Sequence, residues 1–222
     1  MRELSYRSVG GVLLALAGAT MLMGIITAEA LYPAAYHTDQ NTISDLGGTK
    51  PPDSVVLQPS AAIFDTTMVL TGLATIAAGY LIYRALGRRA IAVSTGLLGL
   101  GVLGVGVFPG NTEPHPLFAL LSFVAGGTAA IASARTVSPP LRYAFAAFGA
   151  VTLAALAAGL FLLDWSPIAE LGEGGIERWV AYPVVLWMVG FGCYVAGLAP
   201  GPADRRGGSE RETAELASPP RH

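Results

Sequence analysis

Six long apolar runs, separated by shorter polar intervals, dominate the chain. They cover about 9–28, 61–83, 90–108, 116–134, 143–163 and 179–198, and Asp, Glu, Lys and Arg are nearly absent from them. Each comes close to or exceeds the roughly 20 residues that a helix needs to cross a bilayer. Amphipathic surface helices keep one polar face, and these runs have none. Alternation with a period of two, the mark of a lipid-facing strand barrel, is also missing. The pattern predicts an all-α fold: a polytopic transmembrane bundle of six membrane-spanning helices, with residues 1–198 as its membrane domain. The intervals are unequal, long at 30–59, intermediate at 164–178 and short elsewhere.

Composition agrees. Of 222 residues, 53% are hydrophobic and 13% charged, with a mean hydropathy of +0.56, whereas a soluble domain carries about 25% charged residues. The few cations are distributed unevenly. Arg2, Arg7, Arg84, Arg88, Arg89, Arg135, Arg142, Arg205, Arg206, Arg211 and Arg221 fall on one side of the six runs, and only Lys50 and Arg178 on the other. Lys and Arg are retained on the cytoplasmic side, so both termini are expected in the cytoplasm, in a multi-pass protein of the cell membrane. Tyr32, Tyr36, Trp165, Trp179 and Tyr182 then lie near the outer interface, and Tyr6, Tyr83, Tyr143 and Tyr194 near the inner one. Such belts place amphipathic rings at headgroup depth. Residues 199–222, rich in Pro, Gly, Arg, Glu and Ser, read as a disordered cytoplasmic tail.

The first run has a second reading. Arg2 and Arg7, then an apolar stretch, then Ala28-Glu29-Ala30 imitate a secretory leader with a small-residue cleavage site. The stretch is longer than the 7–15 residues or so of such a core, which favours a retained helix; cleavage would leave five helices in the same orientation. Most of the 28 glycines lie inside apolar runs, with Gly96, Gly99, Gly101, Gly104 and Gly106 in the third alone. Small residues let membrane helices approach closely, and tight packing within the chain is the expectation. Pro183, early in the sixth run, should cost a backbone hydrogen bond and bend that helix.

Candidate chemistry gathers on the outer side. Asp65 lies just inside the second run, where burying a charge is costly and so marks function or a partner. The first interval carries Asn41-Thr42-Ile43-Ser44-Asp45-Leu46-Gly47, the third Phe108-Pro109 and His115, and the last Glu177-Arg178. Arg178 is expected to pair with Asp65, Asp45 or Glu177, because a partly desolvated cation needs a carboxylate. At these motifs, over about 8–198, the chain resembles the domain of unknown function 998 family of integral membrane proteins. The resemblance implies six helices, a retained first helix and no established activity. The family pattern carries Asn where Asp65 stands, which implies hydrogen bonding, not charge, as the shared property.

Two functions compete. In the first, an outward-facing polar pocket with Asn41, Asp65, Glu177 and Arg178 as ligand-binding residues recognises a lipid headgroup or small amphiphile, making membrane lipids the partners. In the second, a lipid-directed hydrolase or transferase uses Ser44 as nucleophile, His115 as base and Asp45 or Asp65 as orienter. Against the second, Ser44-Asp45 also suits a turn or helix N-cap. A small-solute transporter would need charges at mid-membrane, and those are scarce. Other classes fall away. With Cys193 alone there is no disulfide, Cys-x-x-Cys pair or thiolate zinc site, and His37, His115 and His222 lack metal-ligand spacing, so no metal or cofactor is expected. No phosphate loop is present, Lys50 stands outside the helices, and a net charge of −2 gives no footprint for nucleic acid. The orientation has a direct test: in a Cys193-free background, a cysteine replacing Asn111 should react with an impermeant maleimide from outside intact cells, and one replacing Arg88 only after permeabilisation.

Overall fold

The computed structural model describes residues 5–163 and 165–197. Arg2 and the 199–222 tail with its arginines lie outside the described residues. Among the described residues all regular elements are helical, and six helices are long and apolar enough to cross a membrane. They are α1 (Tyr6–Ala30), α2 (Ser60–Leu86), α3 (Arg89–Val107), α4 (His115–Ala134), α5 (Leu141–Phe161) and α6 (Gly172–Gly197). A 3-10 helix, Ile43–Leu46, interrupts the first long interval, and a single helical turn, Ser166–Ala169, the last.

The helices overrun the apolar runs where polar groups cap them. Ser5 Oγ accepts the Ser8 N–H at the start of α1, and Gly87, at φ +66°, closes α2 with its N–H on the Tyr83 carbonyl. The largest difference from expectation is at α6, which begins at Gly172, well before residue 179. Charges end an apolar run but not a helix, since Glu and Arg are good helix formers. Glu177 and Arg178 therefore project from a helix and not from a loop.

Helices adjacent in sequence pack side by side, and α1 against α6 closes the ring. Lipid supplies no hydrophobic force between helices, so close approach must. At the closing seam a Cβ on Gly11 would lie 2.5 Å from the Ala196 nitrogen and the Gly192 oxygen, and one on Gly192 2.5 Å from the Ala15 nitrogen. The two glycines thus let α1 and α6 meet backbone to backbone. Inside the ring Leu14, Phe64, Trp187, Met188 and Phe191 are fully buried, and the Trp187 indole N–H donates to Ser133 Oγ at 2.8 Å. Near Pro183, the Thr152 hydroxyl of α5 donates to the Val180 carbonyl of α6 at 3.1 Å, tying the two helices together.

The fifth helix is peripheral. Only 17% of its most apolar window is buried, against 56% for α3, and none of its buried residues, Phe145, Gly149 and Thr152, lies beyond position 152. The half nearer the 162–171 interval leaves space against α4 and α6. For the seam, overpacking by one methyl should cost about 1–3 kcal/mol: Gly192→Ala should lower the unfolding temperature in detergent, while Gly96→Ala, with nothing within 4 Å of its added methyl, should leave it unchanged or raise it.

Candidate functional site

One guanidinium holds the 31–59 interval over the end of the bundle. Arg178 donates to the Glu29 carboxylate in the last turn of α1, to the Tyr36 hydroxyl at 2.9 Å, and to the carbonyls of Thr38, Asn41 and Gly174 at 2.8, 2.9 and 2.9 Å. The pair is mostly buried, with side-chain exposures of 11% for Arg178 and 20% for Glu29. The carboxylate partner is thus Glu29 and not Asp65, Asp45 or Glu177. Close packing of α1 on α6 brings Glu29 within reach. Glu177, one residue and about 100° earlier on the helix, faces another neighbour.

Tyr36 extends this clamp. It accepts from Arg178 and donates to the Thr42 carbonyl at 2.8 Å, and burial raises its pKa, which keeps the hydroxyl proton in place. At the start of α6, Gly174 has no Cβ to strike the Asn41 carbonyl. The Gly174 and Gly175 N–H groups donate to the Asp39 carbonyl at 3.0 and 3.4 Å, satisfying donors that a helix N-terminus leaves open. Outside this core, Lys50 meets Glu173 at 2.6 Å in an exposed ion pair; such pairs contribute little.

The clamped loop delivers the 3-10 helix. Thr42 Oγ1 accepts the Asp45 N–H at 3.2 Å and Asp45 Oδ2 accepts the Thr42 N–H at 2.9 Å, a reciprocal capping box. The cap expected of Ser44-Asp45 therefore falls to Thr42 and Asp45, and the Ser44 side chain is left for other contacts. Its Oγ lies 2.9 Å from His115 Nε2 and 2.9 Å from Glu177 Oε1. Glu177 Oε2 accepts the Ile43 N–H at 2.6 Å. On the far side, His115 Nδ1 lies 2.7 Å from the Phe108 carbonyl, at the end of α3 where carbonyls lack helical partners. Gly110 lets the 108–114 turn lie against the first interval, because a Cβ there would overlap the Gly48 carbonyl.

The hydrogens of this chain can be counted. The Phe108 carbonyl only accepts, so His115 Nδ1 carries a hydrogen, and in the neutral ring Nε2 presents a lone pair. Ser44 has one hydrogen and two acceptors around it. All contacts are satisfied together when the set carries one further proton, on Glu177 or on His115.

Ser44, His115 and Glu177 border a cavity of about 690 Å³. Asp45, Lys50, Glu113 and Glu173 supply more polar lining, and Leu120, Phe123, Leu156, Leu160, Leu163 and Val180 the apolar wall between α4, α5 and α6. Ser44 and Glu177 also border a smaller cavity of about 60 Å³ whose other lining includes Met21, Phe64, Met68, Val102 and Met188. The pair stands in the wall between the two.

The remaining predicted residues lie elsewhere. Asn41 builds the clamp, its Oδ1 accepting the His37 N–H at 2.9 Å. Asp65 points toward Gly47, with a buried Oδ1 that has no hydrogen-bond partner. Neither Asp45 nor Asp65 orients His115; the Phe108 carbonyl does. Sequence reasoning missed Tyr36 and that carbonyl as working groups, and saw Glu29 only as part of a cleavage site. A backbone acceptor has no side-chain signature, although Phe108-Pro109 and His115 stood in one motif. Among the described residues no three His, Cys, Asp or Glu side chains converge as a metal set.

Among known families, a model described as "Protein of unknown function (DUF998)" matches residues 14–194. No curated protein and no solved structure matches the chain. The clamp makes its own prediction. Removing one partner of a buried pair costs about 3–5 kcal/mol, so Arg178→Ala should lower the unfolding temperature sharply and open the 31–59 interval to protease. Arg178→Lys should recover little, since an ammonium cannot serve the same fork of acceptors.

Proposed function

The chain belongs to the DUF998 family of proteins of unknown function, and from that premise we propose that it binds an amphiphile in the groove between α4, α5 and α6. The observation that carries this reading is the two-sided lining of one cavity, polar at the loop end and apolar along the helices. Its volume of about 690 Å³ falls within the roughly 300–1,000 Å³ of ligand sites. One or two acyl chains fit against Leu120, Phe123, Leu156, Leu160 and Leu163, and the headgroup meets the polar end.

Charge narrows the headgroup. Four carboxyl groups, Asp45, Glu113, Glu173 and Glu177, line the cavity with one ammonium, Lys50. Lys50 is engaged by Glu173. Burial lowers the Lys50 pKa, but the hydrogen bond to Glu173 and the charges of Glu173, Asp45 and Glu177 together outweigh it and raise it, so Lys50 stays charged. The remaining negative potential favours a cationic or zwitterionic headgroup, such as choline or ethanolamine, over a free fatty acid. With the arginine-rich ends in the cytoplasm, the polar end of the groove faces outward and draws from the outer leaflet.

A fluorescent choline-headed lysolipid tests this with purified protein in nanodiscs. Gly159→Trp, which fills the groove from α5, should weaken binding at least about tenfold, the equivalent of 1.4 kcal/mol. Glu113→Lys, at an exposed lining position, should weaken the choline lysolipid and strengthen a fluorescent fatty acid. Unchanged binding in both variants would remove the groove reading.

A further inference from the structure

We propose that Ser44 is an acyl-accepting nucleophile, with His115 as its general base, acting on a carboxylic ester of an amphiphile. The inference rests on the groove reading only for how that ester arrives. A serine hydroxyl is a weak nucleophile until a base accepts its hydrogen and a third group fixes the base. Both conditions are met here: Ser44 Oγ lies 2.9 Å from His115 Nε2, and the Phe108 carbonyl, 2.7 Å from Nδ1, holds the ring with its lone pair toward Ser44. A group used only to anchor the loop has no need of a cavity, yet Ser44 and His115 both border the large one. Asp45 and Thr42 already cap the 3-10 helix without Ser44.

The second contact of Ser44, to Glu177, is compatible with this role. With Glu177 ionised the Ser44 hydroxyl donates to its Oε1; with the further proton on Glu177 that bond reverses, the carboxyl group donating to Ser44 Oγ and the serine hydrogen lying toward His115 Nε2. That arrangement is the resting form of the proposed reaction.

In the first half-reaction Oγ forms a bond to the ester carbonyl carbon while its proton passes to His115 Nε2. The ester C–O bond then breaks, and the leaving alkoxide takes that proton to depart as an alcohol, leaving the acyl group on Ser44. In the second, water attacks the acyl carbon and gives a proton to Nε2. The acyl–Oγ bond breaks, Ser44 regains the proton, and a carboxylic acid leaves. An acceptor alcohol in place of water gives acyl transfer with the same balance.

The probe is an alkyl fluorophosphonate added to the full chain in nanodiscs and read by peptide mass spectrometry. Attack by Oγ forms a P–O bond and expels fluoride, with the proton taken by His115. Wild type should gain one adduct, on Ser44, and none in Ser44→Ala. His115→Gln keeps a hydrogen-bonding side chain and should slow labelling at least about a hundredfold, the low end of a general base's contribution, with little change in unfolding temperature. Heat-unfolded wild type keeps every serine but loses the alignment and should not label, a comparison that holds even if His115→Gln fails to fold. No Ser44 adduct in protein that still binds the choline lysolipid would overturn the inference and leave the groove standing. So would equal labelling of folded and unfolded chain, or of wild type and a folded His115→Gln. A Ser44 adduct without lysolipid binding would keep the chemistry and remove the groove reading. Loss of both would remove both.

Discussion

The arrangement of this site depends on one cation brought almost out of water. An arginine with 11% side-chain exposure needs its charge and donors answered, and here one carboxylate, one phenol and three carbonyls take both terminal nitrogens, while the buried Nε has no partner among the described residues. Those acceptors come from α1, α6 and the loop between α1 and α2. Satisfying Arg178 therefore fixes the loop's path across both helices. Tyr36 passes the constraint to Thr42 through its carbonyl, and Thr42 begins the 3-10 helix that carries Ser44. The distance from Ser44 to His115 is in this sense set by a charge on another helix face.

The same seam depends on small residues. Arg178 reaches Glu29 only because α1 and α6 approach backbone to backbone at Gly11 and Gly192, further along the same pair of helices. Close packing on this side of the ring contrasts with α5, which has no buried residue after Thr152. The groove lies where that end fails to close on α4 and α6. A tightly held polar cap thus stands beside a loosely packed helix, so the groove has a fixed polar end and a less constrained apolar one.

The fold was legible because hydrocarbon imposes a length and a composition that few other environments do. All six runs became helices, and the glycines of α3 at positions 99, 101, 104 and 106 pack against α2 or α4 as small residues should. The start of α6 was not legible from apolarity, since Glu173, Glu177 and Arg178 end the run while the helix continues. At the site, Ser44, His115 and Glu177 stood out as polar residues on one side, but their sequence separation hid which would meet. Asp65 was conspicuous because it interrupts an apolar run; in the fold it sits apart, against Gly47. The Arg178 partner was misjudged because the carboxylates nearest in motif are committed elsewhere: Asp45 to a cap, Glu177 to Ile43 and Ser44.

Where the polar groups stop argues about what the bundle does. Inside the membrane span the hydroxyls mostly turn back on backbone carbonyls of their own helices: Thr71 to Thr67, Thr75 to Thr71, Ser94 to Ala90, Ser133 to Ala130. Their hydrogens are spent on those carbonyls, while the oxygen lone pairs stay available, as where Ser133 Oγ also accepts the Trp187 indole N–H. The helix ends differ. There Ser44, His115 and Glu177 meet with a proton to share, at the wall between a large cavity and a small apolar one. Carboxyl groups and a shared proton thus collect at the end that carries the 3-10 helix, while arginines such as Arg84, Arg88, Arg89, Arg135 and Arg142 stand at the other. Met21, Phe64, Met68 and Met188 line the small cavity, whereas the large one joins an apolar wall to a polar end.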